Sequence, residues 1–225
     1  MNPFTRYLRR LFRPGAQAPV VTWVIAAVCV VVWLFEMVPA TQAWTVNTLA
    51  YVPFLTPYEP WRMLTTAFLH SWTSIWHILF NLYTLMVFGP MVETWLGRAR
   101  YIALYFVSAF AGSLAVLWLA NSGTLVVGAS GAIFGLLAAV VVIQRGLGAN
   151  AGQLVVLIVL NLAVGFFVPG IAWQAHVGGL VAGAVLGLIY LRNRGPRRRA
   201  RAIWLTVAVI AALVLLTWLG VLVRL

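Results

Sequence analysis

Four polar residues in apolar surroundings have side chains that can support chemistry. His77 and Asn81 are four residues apart, and Ser130 and His176 each follow further along the chain. Residues four apart share one face of a helix. A histidine close to a serine can take the hydroxyl proton as general base and return it to a leaving amine as general acid. The pattern indicates nucleophilic hydrolysis by a Ser130–His176 dyad.

Such a reaction also needs hydrogen-bond donors for the oxyanion of its tetrahedral intermediate. Ser130 lies in Gly128-Ala129-Ser130-Gly131, where a helix is predicted to begin, so free backbone N–H groups and the helix dipole supply donors there. The Asn81 amide and the His77 imidazole are further candidates. Gly128 is assigned to the same oxyanion and substrate-binding group.

Acidic residues are scarce, and this limits the mechanism. The sequence has three glutamates (Glu36, Glu59 and Glu93) and no aspartate. An aspartyl intramembrane protease needs two aspartates, and a Ser-His-Asp triad needs one. A dyad with uncharged oxyanion donors needs none.

The elements that must position these residues are membrane helices. The 225 residues are 64% apolar and 8% charged, with a mean hydropathy of +1.00, whereas soluble domains are about 45–50% apolar and about 25% charged. The sequence predicts an all-α polytopic bundle. Spans of suitable length are predicted at Val20–Val38, Ser74–Val92, Arg100–Ala120, Ser130–Gln144, Gln153–Val168, Trp173–Leu191 and Ile203–Val223.

These spans divide the chain into four regions. Residues 1–19 form a basic cytoplasmic segment, 20–192 a six-helix domain, 193–202 a cytoplasmic arginine-rich linker, and 203–225 a seventh transmembrane helix. The 35-residue stretch between the first two spans is long enough to have structure or a task of its own. Its Trp, Tyr and Pro residues suit the membrane interface.

The basic residues indicate an orientation. All 15 are arginine, and 13 fall on one side of an alternating seven-helix topology. Only Arg62 and Arg224 fall on the other side. Cytoplasmic loops carry the excess of positive charge, so the N-terminus is expected inside and the C-terminus outside, in a membrane such as the bacterial inner membrane. The cluster from Arg192 to Arg201 is interpreted as a membrane anchor in preference to a lipid-headgroup or nucleic-acid site, and no nucleic-acid partner is expected.

This topology places His77, Asn81, Ser130 and His176 at a similar shallow depth near the outer face. Small residues then favour a close approach of two of the helices. Gly131 and Gly135 on one helix, and Gly179 and Gly183 on another, have the spacing of small-residue packing ridges. If the two ridges meet, His176 lies beside Ser130.

Each feature also has a purely structural interpretation. A serine at a helix start is usually an N-cap, and a histidine or asparagine in a membrane helix usually makes an interhelical hydrogen bond. His70 is interpreted as an interfacial loop residue rather than a fourth polar partner. Glu93 is interpreted as an ion-pair or capping residue near Arg98 and Arg100, and Cys29 as a packing residue.

Taken in order, the motifs resemble the rhomboid family of intramembrane serine proteases. The resemblance runs from Trp61 to Leu191 and rests on Trp61-Arg62, His77-x-x-x-Asn81, Gly128-Ala129-Ser130-Gly131 and Ala175-His176-x-x-Gly179-x-x-x-Gly183. It implies a six-helix core with one added C-terminal helix. It also implies Ser130 as nucleophile, His176 as base, and His77, Asn81 and the Ser130 amide around the oxyanion.

The resemblance implies a substrate as well, namely a transmembrane-helix protein cleaved in or near its membrane segment. The helix Gln153–Val168 and the Pro169-Gly170 loop would then be gate and cap. Family members often have tyrosine at the position of Phe134, a ring that can stack on His176 but has no hydroxyl. No metal and no cofactor are expected. The alternative is a catalytically silent membrane chaperone or small transporter that binds polar segments of transmembrane helices.

Overall fold

The fold is a bundle of helices, seen in a computed structural model that describes residues 18–168 and 170–225. Within these residues the backbone forms nine α-helices: α1 Val20–Met37, α2 Pro39–Leu49, α3 Arg62–Thr65, α4 Ile75–Leu96, α5 Arg98–Leu119, α6 Ser130–Gly146, α7 Gly152–Phe167, α8 Trp173–Arg192 and α9 Arg199–Arg224. Arg6, Arg9, Arg10 and Arg13 lie outside the described residues, as does Pro169 of the expected cap.

The predicted class, an all-helical membrane protein, is confirmed. In the part of the chain that the structure describes, five segments are long and apolar enough to cross a membrane, namely α1, α4, α5, α8 and the segment Pro196–Arg224 that contains α9. The other two expected spans are the shorter apolar helices α6 and α7, of 17 and 16 residues. Helix α9 begins at Arg199, earlier than the predicted Ile203, because arginine and alanine are good helix formers that extend a helix beyond its apolar part.

The core consists of α5, α6 and α8. The contact between α6 and α8 is the most extensive of those between the described helices, and α5 packs against both. Glycines allow this proximity: a Cβ added to Gly179 would overlap the Gly131 carbonyl, and one added to Gly183 would overlap the Gly135 backbone. The two predicted ridges therefore lie against each other, backbone on backbone.

Glu93 joins the end of α4 to the start of α1. Its carboxylate accepts the backbone N–H groups of Val21 and Thr22 at 3.1 and 2.9 Å, and the Thr22 hydroxyl at 2.9 Å. Arg98 Nε lies 3.7 Å from the carboxylate. These N–H groups belong to the first turn of α1, where they have no intrahelical acceptor. Glu93 thus forms an ion pair with Arg98 and caps the start of α1, in agreement with its interpretation as an ion-pair or capping residue.

The long first loop is folded and tied to the core. It contains α2 and α3, and its Arg62 is buried, forms an ion pair with Glu59 and donates to the carbonyls of Asn47 and Ala50. A β-bridge between Tyr51 and Val126 joins the loop to the segment that precedes α6. The loop therefore supports the start of α6.

Arg62 and Arg224, the two arginines that the topology places on the opposite side from the other 13, lie at one end of the bundle. Arg224 donates to the carbonyl of Ala120, which follows α5, at 2.9 Å, and Arg62 lies in the first loop. At the opposite end, Arg100 donates to the Asn193 carbonyl at 3.2 Å. This arrangement agrees with the sorting of these arginines by loop.

Candidate active site

Ser130 is the first residue of α6, and the turn before it depends on a glycine. Gly128 has φ +131°, a backbone conformation that side chains with a Cβ rarely adopt. Its N–H donates to the Thr66 carbonyl at 3.0 Å, while the Thr66 hydroxyl donates to the Val126 carbonyl at 2.5 Å. The N–H groups of the first helical turn have no intrahelical acceptor. The Ser130 hydroxyl thus lies beside free backbone donors.

His176 lies on α8, which packs against α6, and is within hydrogen-bond distance of Ser130. Its Nε2 lies 2.9 Å from the Ser130 Oγ. The close contact of α6 and α8 explains this proximity, since Gly179, one turn after His176, packs on Gly131, the residue after Ser130. The structure brings the two predicted dyad residues together.

The His176 ring is held from both sides. The Phe134 ring stacks on it with a centroid separation of 4.3 Å and an interplanar angle of 9°. From α7, a Cβ added to Gly165 would lie 3.0 Å from the Nδ1 of His176. Among the described residues Nδ1 has no hydrogen-bond partner. Packing, rather than a carboxylate, orients this imidazole.

His77 faces the same place from α4. The backbone N–H of Ser71 donates to its Nδ1 at 3.1 Å. A nitrogen that accepts a hydrogen bond carries no hydrogen in the neutral ring, so the hydrogen is on Nε2. A Cβ added to Gly128 would lie 2.8 Å from that Nε2 and 3.6 Å from the Ser130 Oγ. The His77 donor and the Ser130 hydroxyl therefore border Gly128 together.

Unlike His77, Asn81 makes its hydrogen bond within its own helix. Its Nδ2 donates to the His77 carbonyl at 2.9 Å, within its own helix, and the side chain is buried. An amide has two N–H hydrogens and one acceptor oxygen, so a second hydrogen remains for another partner. In the part of the chain that the structure describes, no hydrogen bond links Asn81 to Ser130.

His70 corrects one expectation. Its side chain is fully buried, although an interfacial position was predicted, and its ring centroid lies 5.3 Å from that of His77. Burial lowers the pKa of His70 to about 3, because the low-dielectric surroundings disfavour the charged imidazolium. The loop folds inward at this point, and hydropathy alone does not reveal such a fold.

Other contributors are absent from the predicted set. Ser71 acts through its backbone N–H, and Thr66 accepts the Gly128 N–H at its backbone carbonyl, so residue identity does not reveal these contacts. Gly165 contacts His176 only through tertiary packing. Among residues 18–168 and 170–225, no three histidine, cysteine or acidic side chains are grouped to hold a metal. The site brings together a serine hydroxyl, a neighbouring imidazole and N–H groups.

Comparison with known proteins gives one consistent result. The Rhomboid domain family matches residues 57–193. RHOMBOID-like protein 1 of Arabidopsis thaliana is 37% identical over 141 residues, which cover 60% of this chain and 35% of that protein. Rhomboid protease GluP of Bacillus subtilis (strain 168) is 34% identical over 163 residues, covering 67% of this chain and 31% of that protein.

A shorter relative matches over most of its length. YdcA, a rhomboid-family protein of Bacillus subtilis (strain 168), is 30% identical over 186 residues, covering 80% of this chain and 92% of that protein. The chain thus spans about a third of the two longer relatives and nearly all of the shorter one.

Proposed function

The chain belongs to the rhomboid family, and on that premise we propose that it is an intramembrane serine protease. The observation that carries the proposal is the 2.9 Å separation of the Ser130 Oγ and the His176 Nε2. A serine and an imidazole at this distance form a nucleophile and base pair. The proposed substrates are single-pass membrane proteins, cleaved in or near the transmembrane helix.

The chemistry proceeds in two steps. His176 Nε2 accepts the Ser130 proton as Oγ attacks the carbonyl carbon of the scissile bond, and the same proton passes to the leaving amine when the C–N bond breaks. Water then attacks the carbonyl carbon of the acyl ester as His176 Nε2 accepts one of its protons. That proton passes to Ser130 Oγ when the C–Oγ bond breaks, which restores the serine hydroxyl and releases the carboxylic acid product. For this role Nδ1 of His176 carries the ring hydrogen.

The negative oxygen of each tetrahedral intermediate is placed near Gly128. The His77 Nε2–H borders that position. The Ser130 backbone N–H, in the first turn of α6, is the second proposed donor, and the dipole of α6 favours negative charge at its N-terminus. We include Asn81 through its second amide hydrogen. The absence of a side chain at Gly128 leaves the space for the oxygen, since a Cβ there would contact the imidazole of His77.

Helix length supports a site below the membrane surface. At 1.5 Å per residue, the 17-residue α6 is about 25 Å long, against a hydrocarbon thickness of about 30 Å. If Arg145 in its last turn stays at the inner interface, the helix rises about 22 Å from Arg145 to Ser130, so Ser130 lies about 7 Å within the hydrocarbon layer. A peptide bond at that depth belongs to the outer part of a transmembrane helix.

We propose α7 as the movable side of the site. Only Leu154, Ile158 and Gly165 of α7 are buried, whereas Phe166 and Phe167 are exposed. A helix with so little buried apolar area separates from its neighbours at low cost. Its displacement would uncover His176, which Gly165 borders, and admit a substrate sideways from the lipid. The Pro169-Gly170 loop that follows α7 in the sequence is the proposed cap.

The arginine distribution supports the orientation with the N-terminus cytoplasmic and the C-terminus outside, in a membrane such as the bacterial inner membrane. The site then opens to the outer face, because α6 begins at the end of the bundle that holds Arg224. Cysteine accessibility of the two sets of loops tests the orientation.

The test of the function is cleavage by the purified protein. The protein is reconstituted in liposomes with a fluorescent single-pass substrate whose outer membrane segment contains glycine and proline. Ser130→Ala is expected to abolish cleavage, and His176→Ala to slow it by about a hundredfold or more. Ser108→Ala, which alters another buried serine on α5, is expected to retain activity.

The same experiment separates the alternative. A membrane chaperone or small transporter would bind the substrate segment without breaking a bond. Equal cleavage by the parent and by both dyad variants would refute the dyad. Binding of the substrate with no cleavage by the parent would favour the non-catalytic function.

A further inference from the structure

The tautomer of His77 depends on a segment that α1 holds from the other side. Ser71, whose N–H donates to His77 Nδ1, accepts the Trp33 indole N–H at its carbonyl at 3.3 Å. The preceding residue, His70, donates its backbone N–H to the Glu36 carboxylate at 2.9 Å. Two side chains of one helix thus fix the two consecutive residues that contact His77.

Burying the Glu36 side chain in its apolar helix costs free energy. It belongs to an 18-residue helix with no other acidic and no basic residue, and it is fully buried. Acidic side chains within a membrane span are expensive and usually functional. Its Oε2 accepts the His70 N–H, whereas its Oε1 has no partner among the described residues. The hydrogen bond to His70 is therefore the polar interaction that the structure assigns to this carboxyl group.

The neighbouring ring adds a steric constraint. The fully buried His70 ring lies 5.3 Å from the His77 ring at an interplanar angle of 58°. A shift of the 70–71 backbone would therefore move both the donor to Nδ1 and a ring packed against His77. Loss of that donor would permit the other neutral tautomer, in which Nε2 has no hydrogen for an oxyanion.

We propose that Glu36 and Trp33 are positioning residues for His77. They hold the 70–71 backbone so that the Ser71 N–H donates to Nδ1, which keeps the hydrogen of His77 on Nε2 and directed at the space beside Ser130. This inference rests on the proposed function, which it deepens. It assigns control over the oxyanion donor to α1, a helix outside the α5–α6–α8 core.

The direct test is the tautomer itself. The chain has three histidines, so two-bond 1H–15N spectra of protein labelled with 15N-histidine in micelles, at a pH where the rings are neutral, resolve each ring. His77 in the parent is expected to be the Nε2–H tautomer. Glu36→Leu is expected to produce a mixture with Nδ1–H, and Glu36→Gln, which keeps an acceptor oxygen, to retain the parent spectrum.

A second variant guards against a failure to fold. Trp33→Phe removes the indole N–H and keeps an aromatic ring, and it is expected to shift the tautomer in the same direction. Its matched control is Trp23→Phe, on the half-exposed face of the same helix, which is expected to leave the spectrum unchanged. A His77 spectrum that stays purely Nε2–H in both Glu36→Leu and Trp33→Phe would overturn the proposal.

Kinetics separate positioning from a general structural effect. Loss of a whole oxyanion donor costs about 100- to 1,000-fold in kcat, so partial loss of the tautomer is expected to lower kcat about tenfold with little change in KM. Because Glu36 acts through His77, Glu36→Leu is expected to cause no further loss in a His77→Ala background. If the double variant loses kcat by the product of the two single losses, Glu36 does not act through His77 and the proposal is refuted. The tautomer spectra need no substrate, so they test the relay even if the parent cleaves nothing.

Discussion

The contact between Gly179 and Gly131 makes the dyad distance sensitive to one methyl group. A Cβ added to Gly179 would overlap the Gly131 carbonyl oxygen and lie 2.7 Å from its carbon. Carbon atoms pack at about 3.5 Å or more, so the contact with the carbon alone requires the two backbones to separate by at least about 0.8 Å in Gly179→Ala, and the nearer oxygen requires more. Both are main-chain atoms of core helices, and neither can rotate away.

This separation acts next to the chemistry, since Gly131 follows Ser130 and Gly179 lies one turn after His176. A displacement of about 1 Å can cost about a hundredfold in rate, and overpacking costs about 1–3 kcal/mol in stability. We expect Gly179→Ala to lower kcat/KM for a single-pass substrate about a hundredfold. Fluorophosphonate labelling of Ser130 is expected to slow in parallel.

Two control variants separate misplacement from destabilisation. Gly187→Ala overpacks the same ridge against Ala139, three turns from His176, and is expected to lower the melting temperature similarly with a much smaller rate loss. Gly195→Ala adds a Cβ in open space and is expected to change neither quantity. Cleavage by Gly179→Ala within twofold of the parent, in a folded protein, would refute this account of how α6 and α8 set the dyad distance.

Three further predictions concern the surroundings of the site. Phe134→Tyr keeps the ring on His176 and is expected to retain activity, whereas Phe134→Ala loses a stacking interaction of about 0.5–1.5 kcal/mol and is expected to cleave up to about tenfold more slowly; equal rates would contradict the orienting role of the ring. Glu93→Ala leaves the donors at the start of α1 without their acceptor and is expected to lower the free energy of unfolding by about 2–3 kcal/mol, as measured by thermal or denaturant unfolding in detergent; an unchanged stability would show that the cap contributes nothing. The pKa of His70 is about 3 in the folded protein and 6.5 when the ring is exposed, so the unfolded chain binds more protons between these pH values. Acidification through this window is therefore expected to lower the free energy of unfolding by up to about 1.4 kcal/mol per pH unit. His70→Asn is expected to remove that contribution, and an identical pH dependence of unfolding in both proteins would contradict it.

The site illustrates how far residue patterns reach. Small residues at spacing four indicate which helix faces can approach, and the structure packs the ridge of Gly179 and Gly183 on that of Gly131 and Gly135. The contact between the ridges follows from helical periodicity, which extends over a whole element and so leaves a clear signal in the sequence. The stacking of Phe134 on His176, which the structure shows, is implied by the resemblance to the rhomboid family and not by periodicity.

Loop contacts leave a weaker signal. His70 is a polar residue in a loop and was predicted at the membrane interface, yet the loop folds inward and packs its ring against His77. Glu36 is conspicuous as an acidic residue in an apolar helix, but the sequence does not say which backbone N–H it accepts. Such contacts are set by single hydrogen bonds between residues distant in the chain, and no periodic pattern encodes them.

By itself the sequence determined the all-helical membrane class and the family, because apolar spans of membrane length and ordered motifs are properties of residues along the chain. It also nominated the serine and the histidine. The tertiary structure decided the distance between Ser130 and His176, the tautomer of His77 and the partner of Glu36. The distance, the tautomer and the hydrogen-bond partner all depend on how closely separate helices approach and on which backbone groups lie at their contacts. Only the packing of the whole bundle fixes them.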